Sequence, residues 1–218
     1  MTLTLGVLAS GSGSNFEAIG RAIERGELDA KIAVLVCNKE KAGVFARARD
    51  LGIPAVHVSH KHFESREAFE ARICEVLAEH GVEWLVLAGF MRLVGATLLS
   101  AYPDRILNIH PALLPAFPGL HGARQALEAG VRETGCTVHL VDAGCDTGPR
   151  LAQALVPVEA GDDEASLTAR IQRQEHRLYP LVLQWIAEGR LEARARRPGF
   201  PGLLPPTDDL VIFDGGEA

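Results

Sequence analysis

Long hydrophobic segments and an excess of basic residues are both missing from this sequence. The apolar runs are far shorter than the roughly 20 residues of a transmembrane helix, so we expect no membrane partner. The 22 lysine and arginine residues are outnumbered by 28 aspartate and glutamate residues, which gives a formal net charge of −6. This balance argues against a general nucleic-acid-binding protein, because such a protein needs a basic face to neutralise phosphates. It remains compatible with a small phosphorylated substrate.

Paired cysteines and an export signal are missing as well. Cys37, Cys74, Cys136 and Cys145 form no CxxC motif, and a chain of 218 residues can bury a core without disulfide bonds. We therefore expect reduced thiols. The first predicted strand starts at residue 3, and no basic segment, apolar segment and cleavage site stand before it. We therefore expect a cytoplasmic protein.

Strand-like and helix-like segments alternate through the first half of the chain. Apolar, β-branched segments predict strands at residues 3–9, 31–37, 55–58, 84–88 and 106–109. Amphipathic segments that are each followed by a glycine predict helices at residues 15–25, 42–51 and 64–80. Near-continuous apolar strands separated by helices are typical of a parallel sheet that is covered on both faces. We therefore predict an α/β fold with a Rossmann-like, doubly wound, mostly parallel sheet flanked by helices.

The second half of the chain has a less regular sequence pattern. Prolines and glycines predict a long irregular loop at residues 111–121, of the kind that is often functional. The remaining predicted elements are a helix around residues 124–129, strands at 136–141 and 150–158, and a long helix at 162–188. Pro180 predicts a kink in that helix. We expect one domain at residues 1–193, followed by a tail at residues 194–218 that is loosely ordered or packed on the domain.

The segment Asn108-Ile109-His110-Pro111 is the most informative in the sequence. Two residues apart on an extended strand, the side chains of Asn108 and His110 project to one face. The carboxyl ends of such strands commonly carry functional groups. With a carboxylate such as Asp146 nearby, an amide and an imidazole suit a reaction in which charge develops on a carbonyl oxygen while protons move. The alternatives are a structural histidine, and an aspartate that only forms an Asx-type turn before Gly148.

A glycine-rich segment, Ser10 to Asn15, lies between the first predicted strand and helix. It is neither a Walker loop, because no Gly-Lys-Ser/Thr follows, nor the dinucleotide fingerprint, because Phe16 stands three positions after Gly13. Backbone N–H groups at such a turn can bind a single phosphate. The alternative is a tight turn in which Ser14 or Asn15 caps the helix.

Other candidate residues have weaker signals. Arg66 and Arg92 could bind carboxylates, and Met91 could line an apolar pocket. His57, His60 and His62 have no cysteine or carboxylate at a familiar zinc spacing, so we expect no metal site. The helical pattern places Glu175 and His176 on the protein surface.

Together these motifs resemble the phosphoribosylglycinamide formyltransferase family, folate-dependent enzymes of purine synthesis. The shared motifs are LASGSGSN, AGFMR, NIHPALLP followed by FPGLH, the Asp146-Thr147-Gly148-Pro149 turn, VPV and QRQEHRLYP, in the family's order over residues 3–192. NIHPxLLP and the aspartate turn are common to 10-formyltetrahydrofolate formyltransferases. GSGSN and the helix around Glu175 point to this family among them.

The resemblance implies transfer of a formyl group from 10-formyltetrahydrofolate to the amine of glycinamide ribonucleotide, with no metal. It implies that residues 1–193 form the formyltransferase domain, and that Asn108, His110 and Asp146 are catalytic. Independently of the resemblance, a carboxylate beside the ring would favour a protonated His110. The implied ribonucleotide-binding residues are Gly13, Ser14, Asn15 and Glu175. The implied folate-binding residues are Arg66, Met91, Arg92, Leu93, Val94, Asn108 and Asp142. A homodimer stays open.

Four rival functions are weighed against this expectation. A formyltetrahydrofolate hydrolase usually carries a further N-terminal domain, and a methionyl-tRNA formyltransferase needs a basic accessory domain. Sugar-nucleotide formyltransferases leave Glu175 unexplained. A non-catalytic folate or nucleotide binding module does not require Asn108, His110 and Asp146 together.

Overall fold

The computed structural model describes residues 2–190, so the predicted tail at residues 194–218 lies outside the described residues. The strands are β1 (Leu3–Ala9), β2 (Ala30–Cys37), β3 (Ala55–His57), β4 (Trp84–Leu87), β5 (Ile106–His110), β6 (Glu133–Leu140) and β7 (Arg150–Pro157). The helices are α1 (Ser14–Glu24), α2 (Val44–Asp50), α3 (Arg66–Glu79), α4 (Ala96–Ala101), α5 (Gly122–Glu128) and α6 (Glu164–Ala187), with a single 3₁₀ turn at His60–His62.

All seven strands form one sheet in the order β3-β2-β1-β4-β5-β6-β7. The first five strands are parallel to their neighbours, whereas β5 pairs with β6 and β6 with β7 in antiparallel fashion. The predicted Rossmann-like, mostly parallel sheet is therefore confirmed. The chain winds outward in both directions from β1 and β4, and the carboxyl ends of strands at such a switch point open into a crevice.

The central strands β1 and β4 are buried on both faces, because helices cover each side of the sheet. Successive residues of β1 alternate between two apolar clusters: Val7 packs in the cluster with α1 and α6, and Leu8 packs in the cluster with α3 and α4. Truncating a fully buried leucine such as Leu8 to alanine typically costs about 2–5 kcal/mol of stability. This two-sided burial holds the strand ends, and the loops that follow them, in fixed positions.

One element differs from the sequence expectations. The pattern did not predict α4, a six-residue helix that begins after Gly95 with no side chain of its own as a cap. Glu70 on α3 supplies the missing acceptor, since its carboxylate accepts hydrogen bonds from the N–H groups of Gly95 (2.6 Å) and Leu98 (3.4 Å). The predicted long helix is confirmed as α6, which runs through Pro180, and the kink at that residue stays a prediction.

Within residues 2–190, no helix is both long and apolar enough to cross a lipid bilayer. The four cysteines all lie in this range and carry free thiols.

Candidate active site

The side chains of Asn108, His110 and Asp146 converge at the carboxyl end of β5. Asp146 comes from the loop between β6 and β7. Its Oδ2 lies 3.3 Å from Nδ1 of His110, and its Oδ1 accepts a 3.4 Å hydrogen bond from Nδ2 of Asn108. The structure thus brings an amide, an imidazole and a carboxylate together beside one cavity.

The loop at residues 111–121 completes this centre with backbone groups. The carbonyl oxygen of Phe117 accepts a 2.8 Å hydrogen bond from Nε2 of His110, and the N–H of Gly119 donates to Oδ2 of Asp146 at 2.8 Å. The loop is itself held by strand β7, because Arg150 and Gln153 each donate to the Leu114 carbonyl at 2.9 Å. The loop therefore fixes both catalytic candidates from the side opposite the sheet.

The ring of His110 is almost fully buried, and this changes its expected charge. Burial is the largest influence on the pKa of His110 and lowers it, and the Phe117 carbonyl and the Asp146 carboxylate offset that effect only in part. A lower pKa works against the expected resting imidazolium, which stays a prediction. Both ring nitrogens nonetheless face acceptors, so a proton taken up during a reaction would be stabilised.

Asp146 has a strained backbone and a strongly acidic side chain. Its φ of 56° lies in the left-handed region, which non-glycine residues seldom adopt. Burial alone would raise the pKa of the Asp146 carboxyl group, but polar contacts with His139 and the Gly119 N–H and the nearby His110 ring lower it to about 2. The Asx turn of this loop belongs to Asp142, whose Oδ1 accepts from the Gly144 N–H at 3.0 Å.

A cavity of about 440 Å³ opens beside the three side chains. Among the predicted folate-binding residues, those that line it are Met91, Arg92, Leu93, Val94, Asn108 and Asp142. Arg66 does not line it, and lies exposed at the start of α3. The cavity has an apolar rim. It is formed by the side chains of Met91, Leu93 and Leu120, which are 60%, 59% and 66% exposed.

The glycine-rich loop lies at the carboxyl end of β1 and leads into α1. Gly13 is the N-cap residue with φ of 80°, and a Cβ at this position would collide with the side chain of Val44. The alternative in which Ser14 or Asn15 caps the helix is therefore wrong. The loop leaves the first N–H groups of α1 without a side-chain cap.

Asn15 and Glu175 form a buried pair between α1 and α6. Nδ2 of Asn15 donates to Oε2 of Glu175 at 2.8 Å, and Glu175 is only 6% exposed. The predicted surface position of Glu175 is wrong, because the helical face that carries it packs against α1. Burial raises the pKa of Glu175, and the hydrogen bond from Asn15 offsets part of that rise. Oδ1 of Asn15 is buried and has no hydrogen-bond partner among residues 2–190.

The formyl transferase family model matches residues 4–183. The chain belongs to the formyl transferase family. This formyl transferase is 48% identical over 178 residues to phosphoribosylglycinamide formyltransferase of Bacillus subtilis, covering 82% of this chain and 91% of that protein. It is 44% identical over 201 residues to the protein of the same name from Escherichia coli, covering 92% of this chain and 95% of that one. Glycinamide ribonucleotide transformylase 1 from Symbiobacterium toebii superposes with a TM-score of 0.88 at 48% identity, covering 90% of this chain and 92% of that one.

Two of the three clustered histidines of this formyl transferase pack against aromatic rings. The ring of His57 packs edge-on against Phe45, and the ring of His60 packs edge-on against Phe69. The described part of the chain brings no three histidine, cysteine, aspartate or glutamate side chains together in a way that could hold a metal ion.

Two polar residues near the formyl transferase site were missed by the sequence analysis. His139 on β6 lies directly opposite Asn108, and its Nε2 is 3.1 Å from Nδ2 of that residue. A sequence signal for His139 exists, because Thr137 and His139 are two residues apart on β6, as Asn108 and His110 are on β5. Ser10 is the second: its hydroxyl accepts from the Met91 N–H at 3.0 Å and so ties the glycine-rich loop to the cavity wall.

Proposed function

We propose that this chain transfers the formyl group of 10-formyltetrahydrofolate to the amine of glycinamide ribonucleotide, a step of purine biosynthesis. The observation that carries the proposal is the convergence of Asn108, His110 and Asp146 at one end of a cavity. The names of the Bacillus subtilis and Escherichia coli relatives support the choice of acceptor.

Each member of the centre has a distinct task in this proposal. Attack of an amine on a formyl carbon produces an oxyanion, to which Asn108 can donate an N–H; one such donor is typically worth about 10²–10³ in rate. The attacking amine loses a proton and the departing folate nitrogen gains one. His110 can carry a proton between these two nitrogens, because Phe117 and Asp146 stabilise its imidazolium form.

The two substrates would occupy opposite sides of this centre. The N–H groups that follow Gly13 suit the ribonucleotide phosphate, and Oδ1 of Asn15 with the Glu175 carboxylate suits ribose hydroxyls. The cavity is of the size that small-molecule sites commonly have, about 300–1,000 Å³, and is lined by both apolar and polar side chains. Arg92 at its wall can meet a folate carboxylate, and the same role for Arg66 stays a prediction.

A formyltetrahydrofolate hydrolase is the rival that shares this chemistry. The buried Asn15–Glu175 pair favours the transferase, because hydrolysis has no need for a second organic substrate at that position. The cytoplasmic location and a homodimer remain predictions.

A spectrophotometric assay of folate product release tests the proposal. We expect release to depend on added glycinamide ribonucleotide and to be negligible when water is the only acceptor. Equal release without the ribonucleotide would identify a hydrolase, and no release with both substrates present would identify a binding module.

A further inference from the structure

The wall segment of the cavity, residues 89–94, belongs to no helix or strand. All six of its residues line the cavity, and they lie between the end of β4 and the start of α4. Among the described residues, the backbone of Arg92, Leu93 and Val94 forms no hydrogen bond. The conformation of the wall segment therefore depends on groups that contact it from other parts of the chain.

The first end of the wall segment is held by the glycine-rich loop. The Gly89 carbonyl accepts a 3.0 Å hydrogen bond from the Ser10 N–H, and the Met91 N–H donates to the Ser10 hydroxyl at 3.0 Å. These two bonds fix the part of the segment that follows β4. They leave the part from Arg92 onward to other contacts.

Helix α3 supplies those contacts through two adjacent residues. The guanidinium of Arg92 lies over the ring of Phe69, with Cζ 5.6 Å from the ring centroid. Glu70 is only 2% exposed, and its two carboxylate oxygens accept from the N–H groups of Gly95 and Leu98 at 2.6 Å and 3.4 Å. Burial of a carboxylate is costly unless its oxygens accept hydrogen bonds, so this pair of N–H groups is what stabilises Glu70 at its position.

The close approach of Glu70 explains why residue 95 is a glycine. A Cβ at Gly95 would lie 2.8 Å and 2.9 Å from the two carboxylate oxygens of Glu70, and 2.9 Å from Cδ of Arg66. The φ of Gly95 is −98°, which any residue can adopt. Space for the carboxylate, and not backbone conformation, therefore requires a glycine here.

We propose that Glu70 is a positioning residue for folate binding, which holds the second end of the wall segment against α3. Gly95 follows Val94 directly, so the hydrogen bond of its N–H fixes the point at which the segment leaves the cavity. Glu70 does not line the cavity and acts only through this backbone. The inference rests on the proposed function and deepens it, since the folate is the substrate assigned to this cavity.

Two substitutions at Glu70 test the role of its oxygens. Glu70→Met places an apolar side chain of similar length beside Gly95 and Leu98 and leaves both N–H groups without an acceptor. Glu70→Gln keeps one acceptor, which can serve the closer N–H of Gly95. We expect the KM for the folate to rise about 10-fold or more in Glu70→Met and less than about threefold in Glu70→Gln, because a site that is correctly formed for only part of the time binds more weakly by that fraction. The kcat and the KM for the ribonucleotide should stay within about threefold of wild type.

Two further variants separate positioning from a general loss of stability. Leu77→Ala truncates a fully buried side chain of the same helix, which packs beside Gly6 of β1, so it should lower the melting temperature and leave the folate KM unchanged. Gly95→Ala acts on the Glu70 contact from the opposite side, and the folate KM alone should rise as it does in Glu70→Met. An equal rise in Leu77→Ala and Glu70→Met, or an unchanged folate KM in a folded Glu70→Met protein, would overturn the inference. If Glu70→Met does not fold, the same comparison is made with Gly95→Ala.

Calorimetric titration with 10-formyltetrahydrofolate, in the absence of the ribonucleotide, distinguishes failure of this inference from failure of the proposed function. A wild-type protein that binds the folate but has no ribonucleotide-dependent turnover contradicts the proposed function alone. The dissociation constant of Glu70→Met then decides the inference: a value about 10-fold or more above wild type supports it, and an unchanged value overturns it. A wild-type protein that does not bind the folate overturns both.

Discussion

The two ends of the site are built differently. At the end of β5, Asn108, His110 and Asp146 contact one another and are enclosed by the loop at residues 111–121. At the end of β1, the glycine-rich loop offers backbone N–H groups and a buried Asn15 oxygen that has no partner among the described residues. The first end is preorganised for moving protons, and the second end still has capacity to bind. Substitutions at the first end should therefore change kcat, and those at the second should change the KM of the ribonucleotide.

Asp146→Asn gives the largest expected effect. It removes the negative charge that stabilises protonated His110, so kcat should fall about 10³-fold or more in a steady-state assay. The melting temperature should change by only a few degrees. Asp104→Asn is the matched control, because Asp104 has the same left-handed backbone, with φ of 55°, before β5. A collapse of thermal stability in Asp146→Asn alone would assign the residue a structural role.

Gly13→Ala should act on the opposite end. The added Cβ collides with Val44 and φ is positive, so the loop must shift away from the helix terminus. Loss of one charge-assisted hydrogen bond would raise the KM for the ribonucleotide about 10-fold or more, while the KM for the folate stays unchanged. Gly11→Ala is the control, since a Cβ at Gly11 meets nothing within 4 Å. Equal increases in both KM values would show that the loop does not serve the phosphate.

Glu175→Gln should have a smaller effect of the same kind. The glutamine oxygen can still accept from Asn15, but the charge available to a ribose hydroxyl is lost. We expect the ribonucleotide KM to rise about 5- to 10-fold, with kcat within about twofold. Fluorescence-monitored binding of the ribonucleotide should show the same loss. A fall in kcat without a change in KM would place Glu175 with the centre instead.

The pH dependence of stability should show the smallest effect. Since burial lowers the pKa of His110, the unfolded chain binds a proton below about pH 6.5 that the folded protein resists. The free energy of unfolding should therefore fall as the pH decreases below 6.5, by at most about 1.4 kcal/mol per pH unit for one group. Chemical denaturation between pH 7 and pH 5 should show a shallower dependence in His110→Gln. An unchanged slope would mean that folding does not shift the pKa of His110, and a steeper slope would mean that folding raises it.

Local sequence signals predicted the parallel half of the molecule well. Strands β1 and β4 are apolar except for Thr4, and full burial on both faces of a sheet favours that pattern. The spacing of Asn108 and His110 likewise follows from strand geometry alone.

The features that were missed depend on contacts between distant segments. His139 meets Asn108 only through the antiparallel register of β6, and no local signal sets that register. Glu175 is buried because α6 packs on α1, although its own helix reads as polar at that position. The downward shift in the pKa of His110 depends on its burial, which a local sequence pattern does not show. Pairing between distant strands and burial by distant segments determine these properties. The periodicity of the local sequence does not predict them.

The central claim is that the centre at the end of β5 serves turnover and not substrate capture. His110→Ala tests it most directly when ribonucleotide binding and formyl transfer are measured on the same preparation. The account predicts a dissociation constant within about threefold of wild type and a turnover reduced about 10³-fold or more. Turnover close to that of wild type would contradict it.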